Sequence, residues 1–572
     1  MKIAIKTGLL FTTALILSTG VLPVERATAA PTTAAAKSGE GTGLAAALLA
    51  ARHARTRSDT ASATDYYAKA LSLDPANTSL LQRSYSAAAT GGKMAAAIAA
   101  AKRYYETEDQ PLPLAGLLLA TGHVSAKEYD QAWTYIDRIK SDSYLGFAMP
   151  MIRAWGQAAR NTPDAALAEL APLQSTQGLG DLFHIMSGML NEYVGRKEDA
   201  LIHYDLLAAN IERQPLSVIR LVAAGYQRLG KSDTAKQVVE KFNQGRGTGI
   251  GLRAIADSLL EAELYRKKIT PAEGMAETYF AISQLLSQSP ANGLSDVAVA
   301  FGQMAIYLNP DLPMGRWILG STLSARQRFD ESNALLSQIR KSDVTYLSSQ
   351  MQIVDNYEGL GQRGDSLARL QAIAKDFPTV AEVQAAIGNL LRRDQKFAES
   401  VVAYDKALQL STDAAAQDWT IYYGRGIALE RTKQWVRAEA DFKRALAINP
   451  DQPDVLNYLG YSWIDRGENQ NEARRLIELA YSKSTENGFI VDSLGWAMYL
   501  AGDYSGAVTY LEKAVELEPG DPTLNDHLGD AYWKIGRKNE ARFQWRHALT
   551  MKPEDKEKTK IQAKIEQGLA RN

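Results

Sequence analysis

The chain of 572 residues contains no cysteine. That absence excludes a disulfide framework, a thiolate metal site and a cysteine nucleophile. It also leaves no residue to carry a lipid behind a signal sequence, so no stable membrane anchor is expected after signal cleavage. Histidine is scarce: His53, His123, His184, His203, His527 and His547 are the whole set. None stands in an HExxH pair or another close metal-ligand spacing, and each reads as a surface or half-buried structural residue. An excess of one charge is lacking too. Lys and Arg total 64 against 65 Asp and Glu, a formal net charge of −1, which argues against a general nucleic-acid binder. No G-x-S-x-G elbow and no phosphate-binding P-loop occurs, and there is no strand-like alternation of any length. The sequence therefore reads as a chain without catalytic centre, cofactor or metal. Its hydrophobic content of 46% is still enough for a core.

What is present is a period. Gly388, Gly426, Gly460, Gly495 and Gly529 recur at intervals of 38, 34, 35 and 34 residues. Small or apolar residues follow at +12, +16 and +19. The runs are Gly426, Ala438, Phe442, Ala445, Pro450; Gly495, Ala507, Leu511, Ala514, Pro519; and Gly529, Ala541, Trp545, Ala548, Pro553. Gly460 leads to Ala473, Ile477 and Ala480, one residue late, with the extra residue placed in the turn 467–471. Gly388 leads to Ser400, Tyr404 and Ala407, with Thr412 where proline would stand. This is the tetratricopeptide-repeat (TPR) pattern, and the fold class it predicts is all-α: a TPR solenoid, a right-handed superhelix of stacked helix-turn-helix repeats. The glycine lets the two helices of a unit approach, the alanine faces it, the large residue fills the gap to the next unit, and proline ends the second helix.

With the same offsets, weaker units extend upstream. They are phased on Ala51, Ala120, Ala154, Gly188, Ala223, Gly320 and Val354, giving roughly a dozen or more repeats, above the minimum of about three that such stacks need. Two stretches break the rhythm: the glycine run 245–251 and the polar insertion from Ser287 to Ser295. The glycine run follows no strand, so it reads as a hinge or a change of pitch and not as a phosphate cradle.

The expected organisation is a signal peptide over 1–29 and a disordered linker over 30–43. A degenerate array follows over 44–246, then an irregular unit over 247–310, a second array over 311–555 and a capping helix over 556–572. Lys2 and Lys6, the apolar run Gly8 to Leu22 and Ala27-Thr28-Ala29 supply the signal peptide. They look bacterial and place the chain in a Gram-negative periplasm. Ile561, Ile565 and Leu569 give the last helix one apolar face for the repeat beneath it.

In such a stack, positions −3, +1 and +4 from each glycine share one face of the first helix and line the inner surface. They are Tyr423, Ile427 and Glu430; Asn457, Tyr461 and Ile464; Asp492, Trp496 and Tyr499; Asp526, Asp530 and Trp533. The groove they predict is acidic and aromatic, suited to a peptide with basic and apolar side chains, with cation–π contacts to Trp496 or Trp533. Asn389, Arg392 and Arg393 are the nearby basic alternative.

The phrases at 422–431, 456–463, 492–497 and 525–533, with 540–545, are richer than bare repeat consensus. Through them the segment from Trp419 to Leu549 resembles long envelope TPR proteins of Gram-negative bacteria. Some related members are lipoproteins that act as adaptors of carboxy-terminal processing proteases; this chain departs from those in lacking the lipid-bearing cysteine. The resemblance implies a non-enzymatic periplasmic scaffold or adaptor that binds protein or peptide partners, with an envelope protease among them. The alternative is a structural or assembly component of outer-membrane or exopolysaccharide export machinery. The mechanism expected is multivalent: one partner in the C-terminal groove, another along the N-terminal half.

Overall fold

In a computed structural model of the chain, the described residues are 43–57, 59–140, 145–245, 260, 267–287, 295–312, 314–411 and 418–569. The expected signal peptide, nearly all of the expected linker, most of the glycine run, the interior of the polar insertion and Thr412 lie outside them. Among the described residues every element is helical. The helices pair and stack as a TPR solenoid, and the chain forms two compact units, 1–369 and 370–572.

One backbone feature keeps the phase. The residue seven positions after the glycine site closes the first helix in the left-handed conformation. It is Lys433 (φ 63°), Gly467 (φ 70°), Gly502 (φ 85°) and Gly536 (φ 89°) in the second unit. In the first unit Lys127, Asn161, Gly195, Gly230, Gln327 and Gly361 do the same behind Ala120, Ala154, Gly188, Ala223, Gly320 and Val354. A left-handed residue at this position ends a helix by turning the chain back on the last carbonyls. Side-chain caps start some of the helices: Asp503 accepts from Gly506 N, Asn487 from Phe489 N and Asp521 from Thr523 N.

The packing inside each pair follows from volume. A Cβ added to Gly426 would lie 2.6 Å from Phe442, and one added to Gly529 would lie 2.4 Å from Trp545. Tyr404 closes on Gly388 of its own pair and on Gly424 of the next, and Tyr204 does the same between Gly188 and Gly225. The large residue thus fills the gap within its pair as well as the gap to its neighbour. Where serine replaces the facing alanine, its hydroxyl is satisfied at once. Ser332 donates to the Gly320 carbonyl at 2.8 Å, Ser400 to Gly388 at 2.8 Å and Ser366 to Val354 at 3.4 Å. A buried hydroxyl without such a partner would be costly.

The first unit contains a pair that the offsets did not reveal, Thr78–Thr90 with Met94–Thr107. Here Tyr85 stands at the glycine site and Ala101 at the large site, and both are buried. The volumes are exchanged and the sum is kept.

The stretch expected as an irregular unit contains a helical hairpin, Pro271–Ser287 and Ser295–Leu308. It starts on a capping box in which Thr270 and Glu273 bond reciprocally. It packs against the first helices of several pairs in the same unit, on the positions that would line a groove. Thr121 donates to Tyr279 at 3.2 Å, Gly274 abuts the Trp155 ring, Thr278 meets Met186, and Arg220 pairs with Glu277 at 2.5 Å with both side chains buried. The inner face of the helices it covers, from Thr78–Thr90 to Leu216–Arg228, is therefore core. The second partner expected along the N-terminal half therefore has no access to the part of that face which the hairpin covers. The hairpin is apolar nearly all round, and burial on every side is the stable place for such a helix pair.

Candidate functional site

The histidines show no convergent chemistry. His123 bonds Glu128 at 2.7 Å and stacks on Tyr135, and His547 sits edge-on to Phe543. His184 and His203 meet at 3.0 Å, but among the described residues no third side chain joins them or any other metal-capable group. His527 departs from the expected surface or half-buried role. It is buried, its Nδ1 lies 3.0 Å from Asp492, and its ring stacks on Trp496 with centroids 3.9 Å apart. Burial alone would push the imidazole down, but the Asp492 carboxylate, with Asp526 and Asp530 nearby, holds the proton on, and the net shift is upward.

The inner face of the second unit carries the remaining candidates. Repeat geometry brings them into one file, because each sits at an equivalent place on successive first helices. At one end, Tyr423 is half-buried among Trp419, Phe442 and Tyr458, with centroids about 6 Å away. Burial pushes its phenol up. Next come Asn457, whose buried Oδ1 has no hydrogen-bond partner, and Tyr461, whose phenol is pushed up by burial and by Asp492. Asp454, one turn before Asn457, has its carboxyl pushed up by burial.

At the other end the aspartates are not free. Asp492 pairs with His527. Asp530 accepts from Trp545 Nε1 at 2.9 Å and from Lys564 Nζ at 2.8 Å, and Asp526 accepts from the same lysine at 2.7 Å. Burial raises the Asp530 carboxyl to about 6 in spite of Lys564. Trp496 lies between His527 and Tyr499. Trp533 packs on Trp545 and already carries Arg542 and Lys538 over its ring at 5.0 and 5.3 Å. The cation–π positions expected for a ligand are thus filled by this chain. The physical reason is desolvation: carboxylates this deep require a partner in the folded state. Of the basic alternative, Asn389 accepts from the Tyr404 hydroxyl at 2.6 Å and so is committed to packing.

The repeat-packing positions Gly388, Gly426, Gly460, Gly495 and Gly529, with Ala438, Phe442, Ala445, Ala507, Ala514, Ala541, Trp545 and Ala548, lie between helices. Of these, Trp545 and Phe442 also touch inner-face residues, Asp530 and Tyr423. Sequence reasoning missed Lys564 and the role of His527. Asp492 stands three residues before Gly495, and His527 two before Gly529. Comparing offsets between neighbouring units, and not only within one, would have placed the two face to face.

The comparisons with known proteins agree with the repeat architecture. Residues 386–453 and 493–555 match the family described as tetratricopeptide repeat. A TPR repeat-containing protein of Pseudomonas aeruginosa is 33% identical over 125 residues, covering 22% of this chain and 21% of the relative. A DnaJ homolog subfamily C member 7 homolog of Schizosaccharomyces pombe is 23% identical over 240 residues, covering 31% of this chain and 50% of the relative. The chain therefore spans between a fifth and a half of these relatives' lengths. Among solved structures, the Cut9–Hcn1 hetero-tetramer aligns over 92% of this chain and 96% of its own, with 12% identity and a TM-score of 0.40. The TPR protein YrrB aligns over 34% and 97%, with 19% identity and a TM-score of 0.26.

Proposed function

We propose that this chain is a non-enzymatic scaffold that binds a protein partner along the inner face of residues 370–572, and that it works in the periplasm of a Gram-negative bacterium. TPR proteins generally mediate protein–protein contact, and the repeat architecture is the ground for that use here. The observation that carries the reading is the state of one stretch of that face. Tyr423, Asn457 and Tyr461 are half-buried and aligned, and Asn457 keeps an unpaired carbonyl oxygen. Aromatic anchors beside an unsatisfied amide are what a bound segment needs for burial and for backbone hydrogen bonds. In the first unit the hairpin occupies the corresponding face of the helices it covers.

Export rests on Lys2, Lys6, the apolar run to Leu22 and the alanine pair around Thr28. In its finer form the scaffold is an adaptor that presents substrates to an envelope protease. The test is capture of partners from envelope extract by the full chain, compared with Tyr461→Ala, Asn457→Ala and an outer-face control, Val436→Ser. Groove anchors typically cost more than about 1 kcal/mol when truncated. The two inner-face variants should therefore lose partner while the control retains it. Loss in the control alone, with both inner-face variants unchanged, overturns the assignment.

A further inference from the structure

The last helix, Asp555–Gln567, does more than cover the repeat beneath it. Ile561 is buried, and Ile565 and Leu569 pack with Trp533 against the core of the last pair. Between the two isoleucines, Lys564 reaches both Asp526 and Asp530. Arg542 Nε donates to the Ile565 carbonyl at 3.3 Å. The helix also extends toward the other end of the file. Glu554 pairs with Arg431 at 3.4 Å, and Glu557 is close enough to Tyr461 to act on its phenol. Its contacts therefore run from the last first-helix back to Arg431, at the end of the helix that carries Tyr423.

The attachment is slight for a permanent element. Ile561 is its one fully buried residue, whereas the first helix Pro522–Lys534 buries Leu524, Asn525, His527, Leu528 and Gly529 among others. Most of its remaining side chains are exposed, and seven of the twelve are charged. What holds it is a lysine placed where Asp526 and Asp530 would otherwise face each other, with an isoleucine on either side. Charge complementarity and apolar contact come together at that one place.

We propose that this helix is an intramolecular occupant of the groove, and that the partner is an amphipathic helix that displaces it. The displacing segment carries the same pattern: an aliphatic residue, two spacers, a lysine and an aliphatic residue, as in Ile561, Lys564 and Ile565. This deepens the proposed function and rests on it.

The probe is a dye-labelled peptide of residues 554–569, titrated into the full chain and into full chain carrying Lys564→Glu. A helix docked about 90% of the time lowers the apparent affinity of a competitor about tenfold. The Lys564→Glu chain should therefore bind the peptide at least about tenfold more tightly than the native chain. A peptide bearing the same K564E change should bind neither. A folded Lys564→Glu chain that does not bind the peptide, or that prefers the K564E peptide, overturns the proposal. A measurement on the native chain guards against misfolding of the variant. Amides of Asp555–Gln567 should exchange hydrogen at least about tenfold faster than those of Lys538–Thr550, since local opening precedes exchange. Equal protection makes the helix a permanent cap and overturns the proposal. Failure here with inner-face capture intact removes this inference alone; failure of that capture removes the reading beneath it.

Discussion

Replacing Glu277 by leucine should loosen the first unit from the inside. Its carboxylate is 2.5 Å from Arg220, and the two side chains are 7% and 4% exposed. Removing one member of a buried ion pair takes that compensation from the other, at a cost of about 3–5 kcal/mol. Since every 1.4 kcal/mol is a factor of ten, exchange of the protected amides in Pro271–Ser287 should accelerate by roughly two to three and a half orders of magnitude. Amide exchange suits a chain with two compact units better than a global melt, because a single unfolding free energy is not defined when the units unfold separately. The double variant Arg220→Met, Glu277→Leu removes both charges and fills similar volume. Its exchange should return to within about tenfold of the native rate, because apolar replacement of such a pair is often neutral. Acceleration below about threefold in the single variant, or a double variant as loose as the single one, would show that the hairpin is not held against the first helices as described.

Three further outcomes follow from the same contacts. Gly426→Ala places a methyl 2.6 Å from the Phe442 ring and should cost about 1–3 kcal/mol by overpacking, read as a lower urea midpoint with unchanged slope for the transition of the second unit. Gly502→Val forces a β-branched residue to φ 85° and should cost about 1–2 kcal/mol or more, whereas the exposed Val436→Ser should stay within about 0.5 kcal/mol. The third concerns pH. The folded state holds the His527 proton more tightly than an ordinary imidazole of 6.5, so its contribution is complete below that value and is lost as pH rises through the raised one. The buried Asp530, with its carboxyl near 6, acts in the same direction, since its charge costs more in the folded state. Urea stability of the second unit should therefore fall as pH rises, first through the Asp530 range between 3.8 and about 6 and then above 6.5 through the raised His527 value, and Asp492→Asn should flatten the His527 part of the slope. A rising slope in the native chain contradicts the pairing of His527 with Asp492.

How far the fold was legible depended on what each position had to satisfy. Glycine, alanine, a large residue and proline at fixed offsets are local demands of one helix pair, and they could be read directly from Gly426 to Pro450. The pair built on Tyr85 escaped because the rule concerns summed volume, and Ala101 repays the tyrosine sixteen residues later. The hairpin 271–308 carried a signal of another kind: apolar residues on every side of both helices, which announces burial but not what it is buried against. The inner face was legible as a set of positions. Its electrostatics were less so: Asp492 and His527 stand at repeat offsets that show their meeting only when neighbouring units are compared, and Lys564 lies in a helix outside the repeat, at no repeat spacing from Asp526.

The most direct test of the central claim is zero-length carboxylate-to-amine cross-linking of the full chain in its native envelope, with the linked peptides identified by mass spectrometry. The account predicts partner lysines joined to carboxylates of the inner face, Asp454, Asp526 and Asp530. Partner links confined to carboxylates of the second helices, such as Glu439, Glu478 and Glu516, would contradict it.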